Sequence, residues 1–219
     1  MSTPPQPSKA ATPRAFTVTE LMIVIACLAA LAAILLPAWA KRKIQSSRVS
    51  CCNNLKQIGL ASRVWAIDNH DRFPMQVSVT NGGTMELAAS GAVYPHFQVM
   101  SNELSTPIIL LCPNEKKRAY ATNFLGLWDN NLSYFINLDA RNADGSSLLC
   151  GDRNITNRPP AGSRLVSLTE GDTIAWTKDL HVKKGWLGFG DGSVSFFENG
   201  KVGAAVRIGN GTTNRLGVP

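Results

Sequence analysis

Hydrophobic and polar positions change their period twice along this chain. From Leu21 to Ala40 the order LMIVIACLAALAAILLPAWA holds no charged residue. Its length of about 20 residues is what a helix rising about 1.5 Å per residue needs to cross a hydrocarbon core of roughly 30 Å. The pattern predicts one spanning helix over 16–40, bent near Pro37, with Lys41, Arg42 and Lys43 at the far interface. No second run approaches this length, which excludes a multi-pass transporter and requires the rest of the chain to fold in water. A cleavable signal peptide is the alternative, but its apolar core usually covers only about 7–15 residues.

Beyond Lys41 the period becomes that of an amphipathic helix. Ile44, Arg48, Cys51, Leu55, Ile58, Ser62 and Trp65 recur at alternating spacings of four and three, which lays them on one stripe. A second helical segment is therefore expected over 41–69, ending before the turn formers Asp68 to Pro74. Over 70–219 short candidate strands alternate with loops. Met75–Thr80, Pro107–Cys112, Leu132–Leu138, Ser147–Cys150 and Thr173–Thr177 read as strands, and Gln98–Leu104 as a short helix. Trp186–Phe189 and Ser193–Phe197 flank Gly190-Asp191-Gly192, a hairpin signal. The expected fold class is α+β, with one long helix packed on a small antiparallel sheet.

Composition sharpens this picture at two points. In 219 residues the hydrophobic share is 44% and the charged share 17%, so disorder is excluded and the missing charge lies in the apolar run. Residues 1–15 form a distinct leader, with four prolines, the cations Lys9 and Arg14, and no acid. Between leader and run stands Glu20, a single carboxylate at the edge of a segment where burying an acid costs roughly 2.5–3.5 kcal/mol.

The string Ala15-Phe16-Thr17-Val18-Thr19-Glu20-Leu21-Met22 resembles the processing and methylation signature of type IV pilins and type II secretion pseudopilins. The resemblance covers the leader and the first helix. It implies cleavage between Ala15 and Phe16 by a prepilin peptidase, N-methylation of Phe16, and an assembly role for Glu20, whose carboxylate would neutralise the new amine of a neighbouring subunit. The family usually has Gly where Ala15 stands. The implied partners are the peptidase/N-methyltransferase, other pilin or pseudopilin subunits, an inner-membrane assembly platform and membrane lipid. The implied placement is an inner-membrane precursor with a cytoplasmic leader and a periplasmic head, later part of a filament. Counting cations near the span votes for the opposite orientation, since Lys41, Arg42, Lys43 and Arg48 follow it.

Two further stretches carry the resemblance along the chain. Cys51-Cys52-Asn53-Asn54-Leu55-Lys56-Gln57-Ile58-Gly59-Leu60-Ala61 is similar to the matching helix of pilin-like proteins from planctomycete and verrucomicrobial bacteria. His181, nine residues, then Asp191-Gly192 resembles the H-X9-DG motif of the same group. The role of that motif does not follow from its residues; a hairpin turn at Asp191-Gly192, with His181 bonding backbone or capping a strand, is the plain reading.

The remaining side chains give no sign of catalysis or of a cofactor. His70, His96 and His181 lack ligand spacing, no Cys-x-x-Cys occurs, and neither a phosphate loop nor a nucleophile motif is present, so neither metal nor enzyme activity is expected. Asn142-Ala143-Asp144-Gly145 is similar to part of a calcium loop but lacks the first and last ligands, and reads as a turn. Of five cysteines, Cys27 falls in the apolar run. Cys51, Cys52, Cys112 and Cys150 permit three complete pairings, with Cys112 to Cys150, or either to the helix at Cys51 or Cys52, left open beside free thiols. Removing the leader takes Lys9 and Arg14 and no acid, so the net charge falls from +7 to +5. No basic stripe interleaved with aromatics calls for nucleic acid. The expected role is a filament subunit; the alternatives are an anchored extracytoplasmic binding module that never polymerises and an anchored hydrolase using His181 and Asp191.

Overall fold

A computed structural model describes residues 16–141, 147–156, 164–169, 172, 175–199 and 213–219, without the side chains of 37–44, 156 and 213. The leader with Ala15, the Asn142–Gly145 turn and the side chains of Pro37 and Lys41–Lys43 lie outside the described residues. The chain divides into two compact units, 1–44 and 45–219.

Helix α1 runs over Val18–Asp68. Among the described residues its stretch Val18–Leu36 is the one helix long and apolar enough to cross a membrane, and none of it is buried within the chain. In the second unit the same helix is amphipathic. Of the stripe read from the sequence, Cys51, Leu55, Ile58, Ser62 and Trp65 are buried, Arg48 is half-buried and the Ile44 side chain lies outside the described residues, whereas Leu60, Val64 and Ile67 on the other face are exposed. Ser62 meets its burial by donating its hydroxyl to the Ile58 carbonyl at 2.9 Å. The helix stops where the turn formers predict. Asn69 caps back onto the Trp65 carbonyl, and His70 and Asp71 adopt φ of 60° and 55°, conformations no helix can continue through.

Among the described residues eight strands follow. Six form one sheet in the order β4-β8-β1-β2-β6-β7, from β1 (Tyr134–Asn137), β2 (Leu148–Asp152), β4 (Leu165–Thr169), β6 (Lys184–Phe189), β7 (Val194–Glu198) and β8 (Thr213–Gly217). Every pairing is antiparallel. A separate ribbon joins β3 (Ile155–Thr156) to β5 (Ala175–Trp176). This is the expected α+β arrangement of a long amino-terminal helix followed by an antiparallel sheet.

The sheet is apolar on both faces, because both are covered. Tyr134, Ile136, Leu149 and Cys150 share one core with Cys51, Leu55, Ile58 and Trp65 of the helix. Phe135, Leu148, Leu187 and Leu216 share a second with Ile155 and Trp176 of the ribbon. Strict alternation forbids Leu149 and Cys150 from facing the same core; an irregularity of register between Leu148 and Cys150 permits it.

Three elements differ from the sequence expectation. Met75–Thr80 is not a strand but two 3-10 turns, Pro74–Gln76 and Val79–Asn81. Pro107–Cys112 likewise forms a 3-10 turn over Pro107–Leu110, opened by Pro107 at its first position and capped by Thr106, whose hydroxyl accepts from the Ile108 N–H. In both, proline at the first position removes a donor a ladder would need and presets φ for a turn. Met75, Val77, Leu110 and Cys112 are buried there, but as packing in the core shared with the helix rather than as strands, while Val79 and Ile108 are exposed. Gln98–Leu104 is two short helices, α2 (Tyr94–Gln98) and α3 (Ser101–Leu104), split at Val99 and Met100. Strands β3, β4 and β8 are not among those expected, although Val166 and Leu168, buried between exposed Ser167 and Thr169, carry a legible alternation.

Candidate functional site

Two places gather the sequence's candidate residues, one in each unit. In the first, Thr17 precedes the helix and Glu20 is its third residue. The Thr17 N–H donates to Glu20 Oε2 at 2.8 Å and the Thr17 hydroxyl donates to the same oxygen at 2.7 Å. The Glu20 N–H donates back to Thr17 Oγ1 at 3.3 Å. This is a capping box, Thr-x-x-Glu, readable in the sequence and missed there. Phe16 stands just before it, exposed.

The second site is built by four segments of the second unit. Helix α1 supplies Cys51, and the segment after the Pro107–Leu110 turn supplies Cys112 and Asn114. The end of β2 supplies Asp152, and the loop before β6 supplies His181. Cys51 and Cys112, 61 residues apart, are joined by a disulfide. Of the pairings left open by the sequence, this is the one present among the described residues. Cys150 is a buried thiol, Cys52 half-buried and Cys27 exposed.

His181 lies against this bridge. Its Nε2 is 3.6 Å from Cys112 Sγ and 3.6 Å from Asp152 Oδ2, and its Nδ1 is 3.1 Å from Asn114 Nδ2. The ring and the carboxyl are fully enclosed. Asp152 Oδ2 accepts the Trp186 N–H at 2.8 Å, while Oδ1 is buried with no hydrogen-bond partner among the described residues.

Electrostatics follow from that enclosure. Burial raises the Asp152 carboxyl to about 7, against the opposing pull of the Trp186 N–H and the Arg153 charge. Burial lowers His181 to about 4, helped by the positive charge of Arg48. Burial also pushes the Cys150 thiol up to about 12, with Asp152 adding to it. All three groups are driven toward their neutral forms, as desolvation requires.

The rim is ionic and fixes the segment that carries Cys112. Glu115 pairs with Arg153 at 2.8 Å, and Lys117 with Asp179 at 2.9 Å. Burial alone would raise Glu115, yet the Lys117 N–H, Arg153 and Arg118 together hold it below the usual carboxylate range. Arg118 donates to the carbonyls of Asp129, Leu132 and Pro219.

The two ends of the H-X9-DG motif are thus not brought together. His181 and Asp191 stand beyond opposite ends of β6, the first in the core and the second exposed. Asp191 Oδ1 accepts the Ser193 N–H at 2.8 Å, which with the Ser193 hydroxyl holds its carboxyl low, and Gly192 takes φ of 85° in the β6–β7 turn. A hydrolase joining His181 to Asp191 has no geometric support. What sequence spacing missed is the Cys51, Cys112, Asp152 and His181 group, since its members meet only through the fold.

No protein-family model matches this chain, and searches of curated proteins and of solved structures likewise find no match.

Proposed function

We propose that this chain is a pilin-like structural subunit, cut between Ala15 and Phe16, N-methylated on Phe16, and assembled through its first helix into a type II secretion pseudopilus or a type IV pilus-like filament. The observation that carries this reading is the exposure of the whole apolar stretch Val18–Leu36, with a carboxylate at its head. An apolar helix of that length needs lipid, other helices, or both. The Cys51–Cys112 disulfide supports an oxidising compartment for the head, and so a cytoplasmic leader against the count of flanking cations.

Glu20 then has two roles in sequence. In the single chain it caps its own helix through Thr17. In the filament it would face the amine of a neighbour's Phe16, so that neither charge is left alone among apolar helices. Two substitutions separate these roles. Glu20→Gln keeps an acceptor for the Thr17 N–H and removes the charge; Glu20→Ala removes both. The reading expects both variants to reach the membrane and neither to enter filaments sheared from the native host. Incorporation of Glu20→Gln at the normal level would refute the charge pairing. The mass of the amino-terminal peptide tests processing separately: a start at Phe16 with one added methyl supports it, and an intact leader favours an anchored module that does not polymerise.

A further inference from the structure

We propose that the dithiol form of this protein binds a zinc ion through Cys51, Cys112, His181 and Asp152, at the place where the oxidised chain carries its disulfide. Every chain leaves synthesis with both cysteines reduced, so the dithiol form precedes the bridge. The inference is independent of filament assembly.

Two of the donor distances already match the spacing a tetrahedral ion needs. With Zn–S of about 2.3 Å and Zn–N or Zn–O of about 2.0–2.1 Å, the edges of the tetrahedron measure roughly 3.3–3.8 Å. Cys112 Sγ to His181 Nε2 and His181 Nε2 to Asp152 Oδ2 are both 3.6 Å. The ligand atoms of Cys51, Cys112 and His181 all lie within 4.8 Å of one another. The two sulfurs must part, from bonded contact to about 3.8 Å, when two thiolates replace the bridge, and the Asp152 carboxyl must turn toward the ion.

A second observation points to the same place. Asp152 is 0% exposed, and its Oδ1 has no hydrogen-bond partner among the described residues. Its other oxygen, Oδ2, lies 3.6 Å from His181 Nε2, so the carboxyl has acceptor capacity to spare beside the imidazole, which a bound cation would take up on deprotonation. The far side of the imidazole is also provided for. His181 Nδ1 faces the Asn114 amide at 3.1 Å, and that amide, turned to present Oδ1, accepts the Nδ1–H and directs the Nε2 lone pair toward Cys112 and Asp152. Two thiolates, an imidazole and a carboxylate make a donor set suited to zinc.

The two forms exclude each other, because disulfide sulfurs are poor ligands. Closure of the bridge from the zinc form needs an external disulfide as oxidant. One thiolate attacks it and releases a first thiolate, the second protein thiolate displaces the other, and zinc leaves. The two electrons end on the oxidant, which departs as two thiols after taking two protons from solvent.

Cobalt(II) is the probe, since bonding to thiolate gives it a charge-transfer absorption and a tetrahedral site gives it strong visible bands. The full chain in detergent, reduced with a phosphine and freed of it, is titrated with cobalt and then with zinc. One equivalent should bind with the thiolate signature, zinc should displace it, and chain reoxidised by a small disulfide should show no band. Cys27→Ser and Cys52→Ser should leave the spectrum unchanged. Asn114→Ala should weaken binding by about 10–100-fold, and His181→Asn should abolish the tetrahedral bands. A reduced wild-type chain with no thiolate band would overturn the proposal, as would a band that persists after reoxidation or one that is lost in Cys52→Ser. The comparison of oxidation states uses the wild-type chain alone, so it stands even if a buried-site variant fails to fold.

Discussion

Gly59 of the long helix and Gly192 of the β6–β7 turn approach so closely that a Cβ on Gly59 would lie 3.4 Å from the Gly192 Cα. The Asp-Gly of the carboxy-terminal motif thereby seats a hairpin on the helix. The two glycines serve different ends. Gly192 needs its left-handed φ of 85°, whereas Gly59 is helical and needs only a small side chain. Gly192→Ala should cost about 1–2 kcal/mol. Gly59→Ala should be near neutral, because the gain in helix propensity of about 1 kcal/mol offsets a tight contact. Gly59→Leu should cost about 1–3 kcal/mol by pushing the turn away. Urea unfolding of the three variants checks the order; equal losses for Ala and Leu at Gly59 would show that the turn does not rest there.

The Cys51–Cys112 bridge closes a long loop, with a sequence separation of 61. Chain-entropy arithmetic for a loop of that size gives roughly 4 kcal/mol of stabilisation. The double variant Cys51→Ser, Cys112→Ser, compared with oxidised wild type in metal-free buffer, should lower the denaturation midpoint accordingly. The slope of the transition should rise, because the unfolded chain without the bridge is less compact and exposes more surface.

His96 is fully buried, with Nδ1 2.7 Å from Thr84 Oγ1. Burial lowers it to about 4, against the weaker pull of Asp129. The unfolded chain therefore binds a proton that the folded chain refuses between about 6.5 and 4. Stability from this group is complete above about 6.5 and falls as the pH drops toward 4, by about 3 kcal/mol in all at 1.36 kcal/mol per pH unit. His96→Gln should flatten that part of the stability profile. His181 is lowered in the same window, but it is present in both proteins and cancels in the difference. An unchanged slope would exclude His96 as a source.

Arg118 holds three carbonyls, those of Asp129 and Leu132 from one turn and that of Pro219 from the end of the chain. Its planar fork reaches all three, a geometry an ammonium cannot copy. Arg118→Lys should therefore destabilise the fold by about 2–3 kcal/mol although the charge is kept. Thermal unfolding beside Arg164→Lys is the comparison: Arg164 is mostly exposed, 3.4 Å from Asp129, and its exchange should cost little.

Local rules and tertiary pairing divide the rest. Periodicity located the apolar helix and the buried stripe from Cys51 to Trp65, and turn-forming residues located the helix stop before Pro74 and the β6–β7 hairpin, because each depends on residues close in sequence. The same reasoning mistook Met75–Thr80 and Pro107–Cys112 for strands. A short apolar segment beside a proline is buried equally well by a 3-10 turn, and only the surrounding packing selects one. Strand order is a further step beyond sequence: β8 enters between β4 and β1, and β6 beside β2, through pairings between distant segments.

The candidate site shows the same division. Thr17-x-x-Glu20 is a local device, fully written in adjacent residues and only overlooked. By itself the sequence determined the apolar helix, its carboxylate and the stripe that follows, since helical geometry turns spacing directly into a face. Only the tertiary structure decided which cysteine meets Cys51. It alone set His181 against Cys112 and Asp152 rather than beside Asp191, because contacts across tens of residues are made by the packing of sheet on helix and leave no period in the chain.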